Sequence, residues 1–120
     1  MNILFICNQG HHRSKTAAEL FSGRFNTDAA GLYSDTPVTE SQLARADAIV
    51  VMEERHRREI AERFPALYLQ KRILVLGIPD VYCYGQPGLV QLLKVTMTGL
   101  LQGLGPGHRR RRKAAKCRLQ

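Results

Sequence analysis

Apolar residues fall into short blocks separated by amphipathic stretches, the pattern of strands alternating with helices around a parallel sheet. The first block, Asn2 to Ile6, predicts a strand, and the segment from Ser14 to about Gly23 predicts a helix with Ala17, Ala18, Leu20 and Phe21 facing inward. A short strand follows near Thr27 to Gly31, and then a brief helix over Thr39 to Ala46, opened by the Thr39-Glu40 pair and carrying Leu43. Ala48 to Met52 reads as the third strand, Glu53 to Phe64 as a charged helix stopped by Pro65, and Arg72 to Leu76 as the fourth strand. The last helix opens at Gln86 or Pro87, covers the sheet with Leu89, Val90, Leu92, Leu93 and Val95, and continues to about Leu101. No internal repeat is visible.

Right-handed crossovers between such elements give an α/β three-layer sandwich whose four-stranded parallel sheet has the flavodoxin-like order 2-1-3-4. In that arrangement ligand binds beyond the carboxyl ends of the strands, where the order reverses. Cys7 lies at that edge, and so does Asp80, which follows the fourth strand. Two strand spacings, roughly 10 Å, separate them, a gap that a loop can close over a bound ligand.

Cys7 ends the first strand and is followed by Asn8-Gln9-Gly10-His11-His12 and then by Arg13-Ser14 at the start of the helix. A strand that turns into a helix leaves backbone N–H groups pointing into one concavity, backed by the positive end of the helix dipole, and anions bind there. The same field favours the thiolate form of a cysteine, which is the nucleophile. Arg13 has the planar fork that grips two phosphate oxygens and follows their charge during transfer. Ser14 is placed either to cap the helix or to donate to the sulfur when it must leave. Nucleophile, cradle (Asn8 to Arg13) and cation therefore stand in one stretch of chain. The contrary expectation is a buried structural cysteine beside a surface arginine.

These residues resemble the low-molecular-weight protein tyrosine phosphatases, especially their short bacterial variants labelled predicted protein tyrosine phosphatases. Further support comes from Ala29-Ala30-Gly31, from Ala46 to Glu53 with the following His56, and from Ile78-Pro79-Asp80 with Tyr82. The resemblance implies a phosphocysteine mechanism that needs no metal or cofactor, with Cys7 as nucleophile and Asp80 as general acid and then base. It also implies an aromatic wall beside the substrate from Tyr82, assisted by Tyr84. The loop departs from the family pattern, which places Gly and then Asn at the second and third positions after the cysteine, where this chain has Gln9 and Gly10. Gly10 is accordingly expected to remove a side-chain brace and loosen the nest. Lys15 and Val81 replace prolines, Cys83 stands where a second tyrosine is usual, and His12 stands where a second loop cysteine often protects the nucleophile. His11 and His12 are expected at the pocket rim, and His56 as a packing or capping group. The charged set around Glu53, Glu54, Arg55, Arg57, Arg58, Glu59 and Glu62 is expected to be a solvated face.

At 120 residues and 44% hydrophobic content the chain is enough for one small domain. No apolar run approaches the roughly 18 to 20 residues of a membrane span, and the apolar start is too short for a signal peptide, so a cytoplasmic protein is expected. Cys7, Cys83 and Cys117 lack metal-ligand spacing and are read as reduced thiols. The formal net charge of +8 is concentrated at one end: His108 to Gln120 holds seven Lys or Arg and no acid, leaving 1–107 almost neutral. The expected division is a phosphatase-like α/β domain over 1–102 and a basic, disordered tail over 103–120. Arg109, Arg110, Arg111, Arg112 and Lys113 are candidates for contact with a polyanion or nucleic acid.

Three readings compete: a phosphomonoester phosphatase of the protein-tyrosine type, a phosphate- or RNA-binding module using the same loop and the arginine-rich tail, and an arsenate reductase. The last needs further cysteines to carry electrons, and only Cys83 and Cys117 remain.

Overall fold

The computed structural model describes residues 1–103, so the expected tail beyond Gly103, with its basic run, lies outside the described residues. Four strands, β1 (Asn2–Cys7), β2 (Asn26–Gly31), β3 (Ala48–Val51) and β4 (Arg72–Val75), form one parallel sheet in the order β2-β1-β3-β4. The helices are α1 (Arg13–Leu20), α2 (Glu40–Arg45), α3 (Glu54–Arg63), α4 (Pro65–Gln70) and α5 (Pro87–Gly103). The expected topology and strand order are those observed, with element ends shifted by a few residues.

β1, an inner strand like β3, is buried on both faces from Ile3 to Cys7. Its side chains alternate between two cores. Ile3, Phe5 and Cys7 pack with Ala17, Ala18 and Phe21 of the α1 region and with Leu89, Leu93 and Met97 of α5. Leu4 and Ile6 pack with Leu43 and Ile60 on the other face, which α2, α3 and α4 cover. The result is the three-layer sandwich that the hydrophobic blocks predict.

Two local features differ from expectation. Pro65 ends α3 as expected but also opens α4, because a proline at the first helical position gives up only an N–H that has no partner there. Thr39 stands outside α2 as its N-cap, accepting from Gln42 N while the Gln42 side chain accepts from Thr39 N. Among the described residues, no helix is long and apolar enough to cross a membrane.

The register brings Cys7 opposite Gly31 and Ile6 opposite Val51. Beyond the strands, backbone bonds continue the ladder. Leu32 N donates to Cys7 O at 3.0 Å, Tyr33 N to Asn8 O at 2.8 Å, and Ile78 N to Met52 O at 2.8 Å. The last bond ties the segment leading to Asp80 to the end of β3, next to the end of β1.

Candidate active site

The loop from Cys7 to His12 connects β1 to α1 and is seated on the end of β2. A Cβ at Gly31 would lie 2.4 Å from the Gln9 carbonyl carbon, so the two backbones approach closer than any side chain allows. Gly10 has φ +79, and a Cβ there would lie 2.9 Å from Ala30 C and Gly31 N. The expectation that Gly10 loosens the loop is therefore corrected. Its left-handed backbone is wedged against β2, and only glycine meets both conditions. Its N–H points at the Cys7 sulfur, 3.3 Å away.

Cys7 is buried, and Ser14 Oγ lies 3.1 Å from its Sγ. Of the two expected roles for Ser14, capping is not the one observed. α1 begins at Arg13 with His12 as N-cap and no side-chain cap, and the Ser14 hydroxyl lies against the sulfur and, at 3.4 Å, against Ala30 O.

Arg13 is the largest fully buried side chain among the described residues, at 1% exposure. Its Nη1 donates to Glu53 Oε2 at 2.5 Å and to Ile78 O at 2.7 Å, so one nitrogen bridges the β3–α3 junction and the segment leading to Asp80. Among the described residues, Nε and Nη2 are buried without a hydrogen-bond partner. The Asp80 carboxylate stands 3.6 Å from Nη2, an ion-pair distance too long for a hydrogen bond. Glu53 also accepts from Arg55, at 3.0 Å to Nε and 3.2 Å to Nη2. Burial alone would raise the Glu53 carboxyl, but the hydrogen bonds from Arg55 and Arg13 outweigh it and hold the group below its ordinary value of 4.5.

A second set of contacts crosses the nest. Asn8 Nδ2 donates to Asp80 Oδ2 at 3.0 Å, and Asn8 Oδ1 lies 2.8 Å from His56 Nε2. His56 is fully buried, and its Nδ1 accepts from Glu53 N at 3.1 Å. Burial first, and then the Arg13 cation, lower its pKa from 6.5 to about 4. The ring is thus neutral, and since Nδ1 accepts, Nε2 carries the proton and donates to Asn8.

The structure brings together Cys7, Asn8, Gly10, Arg13, Ser14 and Asp80. His11 and His12 are exposed at the loop's outer turn, Gln9 is exposed with its backbone against Gly31, and His12 Nδ1 accepts from Tyr84 N at 3.1 Å. Tyr82 packs partly onto the core beside α5. Tyr84 lies along α1, with its hydroxyl donating to Glu19 and Lys15 Nζ 5.2 Å from its ring centre. Glu53, expected on a solvated face, pairs with Arg13 instead, whereas His56, expected as a packing or capping group, is buried and closes a capping box with Glu53 at the head of α3 while also reaching Asn8. Their places in the site follow from one signal, their position immediately after the carboxyl end of the strand beside β1. Among the described residues, no group of three or more His, Cys, Asp or Glu side chains is gathered so as to hold a metal ion.

No protein-family model matches the chain, and no curated protein matches it. Solved structures do. The tyrosine phosphatase Wzb from Escherichia coli, in complex with phosphate, is 22% identical with a TM-score of 0.67, over 87% of this chain and 98% of that one. A low-molecular-weight protein tyrosine phosphatase from T. tengcongensis is 18% identical with a TM-score of 0.69, over 85% and 98%. The YwlE arginine phosphatase from Geobacillus stearothermophilus is 18% identical with a TM-score of 0.63, over 91% and 99%. By its strand order, its layers and these likenesses, the chain has the fold of the low-molecular-weight protein tyrosine phosphatases.

Proposed function

We propose that the chain is a phosphomonoester phosphatase that works through a phosphocysteine on Cys7, with phosphotyrosine in a protein or a small aryl phosphate as its substrate class. The observation that carries the reading is the Arg13 guanidinium. A buried polar group left without a partner costs about 1 to 3 kcal/mol, more for a charged one, and here two nitrogens of one fork are left so. They match the two parallel N–H···O bonds a phosphate accepts. Nη1 is held by Glu53 and Ile78, which fixes the fork before the ligand arrives.

In the first step the Cys7 thiolate forms an S–P bond as the P–O bond to the leaving group breaks, and the leaving oxygen takes the proton of Asp80. In the second, water forms a P–O bond as the S–P bond breaks. The water's proton goes to the Asp80 carboxylate, inorganic phosphate leaves, and the thiolate returns. Arg13 and the loop N–H groups balance the charge on the transferring group, which is the part a metal plays elsewhere. Fold neighbours that act on phosphotyrosine and on phosphoarginine both support cysteine-based dephosphorylation, and the aryl class is the one this reading adopts. The run Arg109 to Lys113 adds, in this reading, a salt-sensitive contact with polyanionic phosphoesters.

The test is phenolate release from 4-nitrophenyl phosphate between about pH 5 and 7 without added metal, comparing the unsubstituted chain with Cys7→Ser. Turnover abolished by the substitution is the expected result. Phosphate binding without turnover in the unsubstituted chain would overturn the reading in favour of a binding module, and release from phosphoarginine but not from aryl phosphate would overturn the substrate class alone.

A further inference from the structure

The loop lacks the family's asparagine at the third position after the cysteine, and a carboxamide is instead supplied by the first, Asn8. Its two ends are used differently. The oxygen accepts from His56 Nε2 at 2.8 Å, and the nitrogen donates to Asp80 Oδ2 at 3.0 Å. The amide has only one satisfactory orientation. Turned over, its NH2 would face the Nε2–H of His56, donor against donor, and its carbonyl would face the Asp80 carboxylate, acceptor against acceptor. The His56 tautomer is in turn set by Glu53 N, which donates to Nδ1. A backbone N–H at the head of α3 thereby fixes, through two side chains, which group meets Asp80.

Asp80 needs such a hold. Its side chain is half exposed, it sits outside any helix or strand, and Arg13 Nη2 lies 3.6 Å from its other oxygen. A phosphate that occupies Nε and Nη2 takes over Arg13, so Oδ1 loses that neighbour when substrate binds, whereas Oδ2 keeps Asn8. We propose that Asn8, locked by His56, is the positioning residue of Asp80, holding Oδ2 so that Oδ1 is presented to the leaving oxygen. The inference rests on the phosphatase reading above and assigns Asn8 a task beyond lining the phosphate cradle.

A structural brace would slow all substrates alike, whereas loss of acid positioning matters most where the leaving group most needs a proton. The experiment measures kcat/KM for a series of aryl phosphates running from 2,4-dinitrophenyl, a good leaving group, to phenyl, a poor one. It compares the unsubstituted chain, Asn8→Ala, Asn8→Ser (which removes the reach to Asp80 without adding charge) and each substitution combined with Asp80→Asn. The expected result is a loss of roughly tenfold to hundredfold on phenyl phosphate in both Asn8 variants, shrinking to about twofold on the dinitrophenyl ester. No further loss is expected when Asp80 is already Asn. An equal loss across the series, or an undiminished loss in the Asp80→Asn background, overturns the positioning role while leaving the phosphatase reading intact. Turnover that survives Cys7→Ser overturns both.

Discussion

Arg13 and Glu53 form an ion pair of 2.5 Å in which the cation is 1% exposed and the carboxylate 24%. Removing one partner leaves the other uncompensated, and here the one left behind would be a buried guanidinium. Glu53→Ala is expected to cost about 2 to 3 kcal/mol in urea unfolding and to raise the inhibition constant of inorganic phosphate roughly tenfold, because the fork loses its anchor. Glu53→Gln keeps an acceptor and should recover part of both effects. An unchanged phosphate constant in Glu53→Ala would show that Ile78 O alone suffices to orient Arg13.

The nest depends on two glycines for different reasons. At Gly31 the obstacle is space, since a Cβ would sit inside van der Waals contact of Gln9 and Asn8 backbone atoms that cannot rotate away. At Gly10 it is also conformation, φ +79, which an L-residue adopts at a cost of about 1 kcal/mol before any clash is counted. Gly31→Ala and Gly10→Ala are both expected to lower kcat/KM for an aryl phosphate by roughly a hundredfold or more, since misplacement by about 1 Å has that effect on a pre-organised site. Gly23→Ala, where a Cβ meets nothing within 4 Å, is the control and should behave as the unsubstituted chain.

How much of this could be read from the chain depended on whether neighbours in space were also neighbours in sequence. Cys7 to Ser14 is contiguous and follows a recognisable strand, so the clustering of Cys7, its loop and Arg13 was legible in one stretch of chain. Asp80 lies far along the chain but was placed by topology alone, because parallel strands present their carboxyl ends on one side. Glu53 was hidden in a run of charged residues that reads as a solvated surface, and His56 was legible as a packing or capping group but not as a neighbour of Asn8, because only the pairing of β3 with β1 turns the head of α3 toward the loop. Gly10 misled in the opposite direction. Without sight of β2 beneath it, the missing side chain read as lost rigidity, when the close approach to Ala30 and Gly31 is what excludes a side chain there.

The neutral, buried His56 makes stability depend on pH. Burial and the Arg13 cation, aided by Arg55 and opposed by Glu53 and Asp80, lower its pKa from 6.5 to about 4. An unfolded chain therefore takes up this proton at a higher pH than the folded one. The folded state has its full advantage above about pH 6.5, loses it progressively as pH falls to about 4, and loses no more from this group below that. Glu53, held under 4.5, adds a second loss that begins as pH falls below about 4.5. Urea unfolding is expected to show stability falling by a few kcal/mol between pH 6.5 and 4, and His56→Gln should flatten that part of the curve. The same slope in both proteins would assign the pH dependence to other groups.

Ser14 is expected to matter most when sulfur leaves. Its hydroxyl is fully buried between two acceptors, Cys7 Sγ at 3.1 Å and Ala30 O at 3.4 Å, and it has one proton to give. The shorter contact is the one that strengthens when the S–P bond breaks and charge returns to the sulfur, and the Gly10 N–H is the other donor in reach. Ser14→Ala removes one of these two donors without adding bulk, so kcat should fall roughly tenfold to a hundredfold while kcat/KM, which reports phosphoryl transfer to Cys7, falls less. Rapid mixing with 4-nitrophenyl phosphate should then give a burst of phenolate equal to the enzyme concentration, as phosphocysteine accumulates. Equal losses in kcat and kcat/KM with no burst would mean that the hydroxyl serves Ala30 O, holding the end of β2 under the loop, and that sulfur departs with the aid of Gly10 alone.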